Sequence, residues 1–157
     1  MSSFLKRVLF TAFVAGTLDI LCAYIQVYIT TQQVSKKMFH YIAGGALGLD
    51  VSMKGGTGVM VLGICIHYFI AFVFTLIFFR LYPKVKALSY NKYVTGLVYG
   101  IFIWTIMNLL VLPLSKLPRA PLQLESSIIG MLIIMVVVGL PVAISAYDYY
   151  KTQRRTR

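Results

Sequence analysis

The sequence predicts an all-α membrane protein: a bundle of four transmembrane helices with a short interfacial or re-entrant helix between the first and second. Three observations lead there. Apolar residues make up 59% of the 157-residue chain and charged ones only 12%, against roughly 45–50% and 25% in soluble domains. A single soluble domain of this length has too little interior for that much apolar side chain. The apolar residues also fall into four runs, each long enough to cross about 30 Å of hydrocarbon at about 1.5 Å per residue. Finally, the basic residues punctuate those runs, as they do where a chain fixes its orientation in a bilayer.

The runs cover residues 8–29, 59–79, 94–114 and 128–147 of one integral membrane domain spanning 1–157. The first follows Lys6-Arg7 and so resembles a signal peptide. It is too long for a signal core, carries Asp19 at its centre and has no small-residue cleavage pattern, so a retained helix is expected. Between the first two runs, Met38 to Leu49 is almost continuously apolar but only about half a span long. Gly44, Gly45, Gly48, Gly55, Gly56 and Gly58 make that region pliable, and the phosphate-cradling pattern G-x-x-x-x-G-K-[ST] is absent. Pro113 and Pro141 are expected to kink the third and fourth helices.

Orientation follows from the Lys and Arg residues flanking the runs. Lys6 and Arg7, the four in 80–93, and Lys151, Arg154, Arg155 and Arg157 share one side, ten in all. The other side holds Lys36, Lys37, Lys54, Lys116 and Arg119. Ten against five puts both termini inside. Tyr82, Tyr90, Tyr93, Tyr147, Tyr149 and Tyr150 then make an inner aromatic belt, with Tyr28, Phe39 and Tyr41 near the outer face.

The informative residues are those that lipid should reject. Asp19, His67 and Asn108 lie within helices 1, 2 and 3, and a charge at mid-bilayer costs about 2.5–3.5 kcal/mol on insertion scales. Each falls on a stripe of small residues, the surface along which membrane helices approach closely. Ala12, Ala15, Gly16, Asp19 and Ala23 share one face; Gly63, His67 and Ala71 repeat at i+4; so do Gly96, Gly100, Trp104 and Asn108. Gly139 is the corresponding packing residue of helix 4. Counted from the middle of each run, the three polar residues lie within about 6 Å of one depth. They are expected to form one intramembrane cluster.

Other chemistries find little support. The net charge of +11 accompanies no nucleic-acid recognition module. Cys22 and Cys65 read as small apolar core residues, with no disulfide framework or metal site implied. A haem lacks a second axial ligand, because His40 sits in the outer loop. Thr17 and Ser145 have no triad-like context, so no catalytic constellation is recognised and no cofactor is expected. Asp50 and Glu125 read as solvated loop carboxylates.

Val14-Ala15-Gly16-Thr17-Leu18-Asp19-Ile20, Ile42 to Gly48, Gly55-Gly56, His67 with its aromatic helix, Met107-Asn108-Leu109, Leu112 to Ser115 and Gly139-Leu140-Pro141 together resemble a family of small, uncharacterised bacterial four-helix inner-membrane proteins. A more distant similarity, through His67, Tyr82 to Lys86 and Pro113-Leu114, runs to the YagU-like inner-membrane proteins. The resemblance covers nearly the whole chain. It implies a bacterial inner-membrane location and marks Asp19, His67 and Asn108 as family positions, but it implies no reaction.

Two functions stay foremost, with an intramembrane enzyme third because it would need a nucleophile or metal beside His67. In one, Asp19 and His67 form a protonatable pair on a path for a small solute or proton, with Asn108 binding the solute or orienting the imidazole. Four helices are few for a transporter, so that reading expects a homodimer. In the other, the polar groups only hold helices together and the chain is a scaffold or accessory subunit docking a membrane-protein partner. A polar cavity around the cluster favours the first; a dry bundle with Asp19 capped favours the second.

Overall fold

The computed structural model describes residues 3–32, 37–118 and 124–155. Lys36, Arg119 and Arg157 of the charge count lie outside the described residues. Among those described there is no strand, and four helices are long and apolar enough to cross a membrane. The first, α1, is Ser3–Thr31. Two short helices follow, α2 (Lys37–Leu47) and α3 (Leu49–Met53), then the second long helix, α4 (Thr57–Leu81). The third is built from α5 (Lys92–Ile106), a π-helical turn at Met107–Val111 and α6 (Leu112–Leu114). The fourth comprises α7 (Leu124–Ile134), a second π turn at Met135–Gly139 and α8 (Leu140–Arg155).

Each long helix overruns its apolar stretch. Bilayer thickness limits only the apolar part, whereas backbone hydrogen bonding carries the helix onward into polar flanks. Where a start is capped, the cap is local: Asn91 Oδ1 accepts from the N–H groups of Tyr93 and Val94 at 2.9 and 3.3 Å. Gly48, between α2 and α3, has φ 89° and ψ 150°, a conformation essentially restricted to glycine.

Phe4 packs on both Phe79 and Tyr149, so both ends of the chain and the end of α4 meet at one end of the bundle. That terminal half holds the core. Val8, Ala12, Ala15, Phe78, Phe79, Tyr82, Tyr99, Val142, Ala143 and Ala146 are all buried there. Tyr150 donates to the carbonyl of Phe79 at 2.7 Å and stacks on Tyr82 with ring centroids 5.2 Å apart. Tyr82 is therefore a core residue and not a member of a surface belt, because the end of α8 covers it. Tyr90 and Tyr93 are exposed as expected, and Lys92 Nζ lies 5.3 Å from the ring centroids of both Tyr93 and Tyr147.

Outside this core the surface is apolar. Phe10, Phe13, Leu21, Phe69, Val98, Phe102, Leu109 and Leu132 all stand exposed, distributed over the four long helices. Helices apolar on every face are stable where the surrounding medium is itself apolar. Cys65 belongs to this exposed surface, and only Cys22 is partly buried; a thiol behaves as a small apolar group and is tolerated there.

Glycine sets the close approaches. A Cβ on Gly139 would strike the carbonyl of Gly96, and one on Gly100 would strike the Cα of Met135. The third and fourth helices thus meet backbone to backbone. Gly63 does the same for α2, whose Phe39 carbonyl occupies the space a side chain would take. The far end of α2 is tied to the third helix by the Lys116 N–H, which donates to the Gly45 carbonyl at 2.9 Å.

At Pro113 and Pro141 the helices widen into π turns. Each lies two residues beyond a π turn, in the matching segments Met107 to Pro113 and Met135 to Pro141. Proline has no N–H and its ring crowds the carbonyl four residues back, here Leu109 or Val137. The wider turn removes the crowding, with Leu112 N–H bonding Met107 and Leu140 N–H bonding Met135.

Candidate functional site

The stripe on α1 places Ala12, Ala15 and Gly16 in buried contact with the bundle and leaves Asp19 half-buried. Gly16 lets α4 come close: a Cβ there would lie 3.1 Å from the Tyr68 ring and 3.3 Å from Ala71 Cβ. The approach brings His67 Nε2 to 2.9 Å from the Gly16 carbonyl. A carbonyl only accepts, so Nε2 carries the proton and donates, which leaves Nδ1 as the acceptor of the neutral ring. Beside it the hydroxyls of Thr17 and Tyr68 lie 2.9 Å apart, and Tyr68 stacks on Phe13.

Asn108 sits within the first π turn. Its Nδ2 donates to the Trp104 carbonyl at 2.9 Å. The Trp104 indole nitrogen lies against Gly130 of α7, 3.8 Å from where a Cβ would be. The indole thus packs against the fourth helix at ordinary contact distance.

Asp19, His67 and Asn108 all line one cavity of about 280 Å³, bounded by all four long helices. Ile70, Phe74, Ile103, Met107 and Val138 supply most of its apolar wall, and Ile42 of α2 lines it as well. Toward the termini it ends on Phe74 and Ile103, behind which Phe78 and Tyr99 pack with ring centroids 4.4 Å apart. Tyr99 locks that plug by donating to the Phe74 carbonyl at 2.7 Å. The volume is at the lower edge of the range for small-molecule pockets, about 300–1,000 Å³, and is ample for several waters.

Asp19 and His67 line the same cavity, yet no hydrogen bond joins them: the imidazole N–H is directed to the backbone instead. Among the described residues none donates a hydrogen bond to the Asp19 carboxylate. Such a group is costly in an apolar interior unless water, a proton or a ligand meets it. Compared with protein-family models, curated proteins and solved structures, this chain has no match. The site must therefore be read from its own chemistry.

The five glycines divide by role. Gly16 admits α4 and fixes the imidazole, Gly63 seats α2, and Gly96, Gly100 and Gly139 join the third helix to the fourth. The stripe of the third helix splits accordingly, with its two glycines in a helix contact and Trp104 and Asn108 on the cavity. Ile42, Phe74 and Gly130 belong to the cavity without a polar atom to single them out. Thr11 and Ser145, whose hydroxyls lie 2.6 Å apart, link α1 to α8 in the packed half and take no part in the cavity. His40 is likewise remote from the cluster, bonding the Gly55 carbonyl at 3.0 Å. Among the described residues no group of three His, Cys, Asp or Glu side chains could hold a metal ion.

Proposed function

We propose that the chain is a multi-pass protein of the bacterial inner membrane, with both termini cytoplasmic, that carries a small solute through its central cavity while Asp19 and His67 exchange a proton. One observation carries this reading. A carboxylate halfway along an apolar helix has no hydrogen-bond donor among the described residues and lines a cavity large enough for a solute. A scaffold that used Asp19 only to hold helices together would cap it with a donor, because an uncapped charge there costs stability and contributes no contact.

The surroundings support the same reading. Most of the large buried side chains lie on one side of the cavity, and on the other α2 and α3 intervene, with glycines at 44, 45, 48, 55 and 56 in and beside them. Movement of α2 would open one side, and parting of Phe74, Phe78 and Tyr99 the other; these are the two gates that alternating access requires. The inner-membrane location rests on the family resemblance, and the orientation on the ten-to-five excess of basic residues.

Reconstitution into vesicles with an internal pH-sensitive dye tests the reading. A solute gradient should drive a proton flux that Asp19→Asn lowers at least about tenfold, as expected when a group that must change charge is fixed neutral. An equal flux through Asp19→Asn would remove the carboxylate from the mechanism.

A further inference from the structure

We propose that the cavity takes a small organic ammonium ion, a primary or secondary protonated amine with a compact apolar body. The inference rests on the transport reading for its purpose but stands on three observations of its own. The first is charge. Among the described residues Asp19 is the only acidic one lining the cavity, and the cavity holds no Lys or Arg, only the imidazole of His67. An anion would meet repulsion without compensation, and a neutral solute would leave the carboxylate desolvated and unpaired.

The second is the direction of the polar atoms. His67 in its neutral form spends its single N–H on Gly16, and Asn108 turns its NH2 group to Trp104. The atoms these side chains leave for a ligand are His67 Nδ1 and Asn108 Oδ1, both acceptors, with one further N–H of the Asn108 amide. With the carboxylate oxygens they place hydrogen-bond acceptors from three separate helices around one cavity. Such a site suits a cation that carries N–H donors, and charge-assisted bonds of this kind are about twice as strong as neutral ones.

The third is the wall. Ile42, Ile70, Ile103, Met107 and Leu112 offer no polar atom, and Phe74 and Trp104 add aromatic surface. A bare inorganic cation needs a shell of oxygens, and this wall supplies none beyond the three polar residues. An alkyl or cycloalkyl body fills the apolar volume, and an ammonium group near an aromatic face gains further attraction.

Trp104 is the chain's single tryptophan and lines the cavity, so its emission reports occupancy without a label. The purified full chain in detergent is titrated with cyclohexylammonium, with cyclohexanol as the neutral counterpart, cyclohexanecarboxylate as the anion and cyclohexyltrimethylammonium as a cation without N–H. The expected result is a saturable Trp104 shift with cyclohexylammonium. Asp19→Asn and the N–H-free cation should each weaken it about tenfold or more, and Asp19→Glu should keep it. Equal binding of cyclohexanol or cyclohexanecarboxylate by the unaltered protein would overturn the inference, whatever the variants do. Failure of the amine alongside solute-driven proton flux would leave transport standing with a different substrate class. Absence of both binding and flux for every solute would remove both.

Discussion

The half of the bundle nearest the termini and the half nearest α2 are made from the same four helices, yet they are packed in opposite ways. In the terminal half, Val8, Phe78, Phe79, Val142 and Ala146 are essentially inaccessible, and every buried hydroxyl of a tyrosine or threonine that crosses between helices finds a partner. In the other half the helices stand around a cavity, and the buried residues are few and small, among them Ala43, Gly44, Ser52 and Gly63. Lipid supplies no hydrophobic force to pull helices together, so association relies on close contact and on polar bonds. The terminal half has both. The α2 half makes its close contacts through small residues, as where the Phe39 carbonyl meets Gly63, and leaves a cavity lined by three polar side chains.

Four changes would break or sharpen that contrast. The largest effect is expected from Gly139→Leu, which drives a side chain into the Gly96 carbonyl; a loss of about 3 kcal/mol should appear in thermal unfolding in detergent as a much lowered midpoint. A Gly139→Leu protein that melts like the parent would show that the third and fourth helices do not meet as described. Gly48→Ala should cost about 1–3 kcal/mol, because the backbone there has φ 89°; the loss should be seen in protease susceptibility of the segment joining α1 to α4. Tyr99→Phe should cost about 1 kcal/mol, leaving the fold intact but loosening the plug, so that a solute leak rises while binding at Trp104 is retained. The smallest change is expected where the sequence looks most polar. Asp19→Asn should leave stability within about 0.5 kcal/mol of the parent or raise it, since it removes an unpaired charge from an apolar setting. A marked destabilisation by Asp19→Asn would mean that the carboxylate is a structural bond after all.

Much of the architecture could be read from the chain, because lipid imposes a simple rule. A run such as 59–79 must be helical for its backbone to be hydrogen-bonded, and α4 contains it. The small-residue stripes likewise point to the faces that meet, as Gly16, Gly63 and Gly100 illustrate. What could not be read depends on which atom meets which. Spacing places His67 near Asp19 in depth, but only the approach of α4 to Gly16 decides that the imidazole bonds a backbone carbonyl. Tyr82 has the composition of an interfacial anchor, and only the return of α8 buries it. Trp104 is visible on its stripe as a repeat of i+4 spacing, but its place at the cavity beside Gly130 of the fourth helix is not. Proline signals a disturbed helix without saying whether the answer is a bend or a widened turn.

The two widened turns have a consequence for angular phase. Each holds one residue more than an α-helical turn would, so everything beyond it is rotated by about 100° relative to a continuous helix. On the third helix this offset lets Trp104 and Asn108 look onto the central space while the segment after Pro113 turns to hand the Lys116 N–H to α2. Removing one residue from the turn, such as Leu110, would restore regular pitch and swing that terminus away from its partner. The spare residue works as a fixed rotational offset between the part of the helix that lines the chamber and the part that anchors its cover.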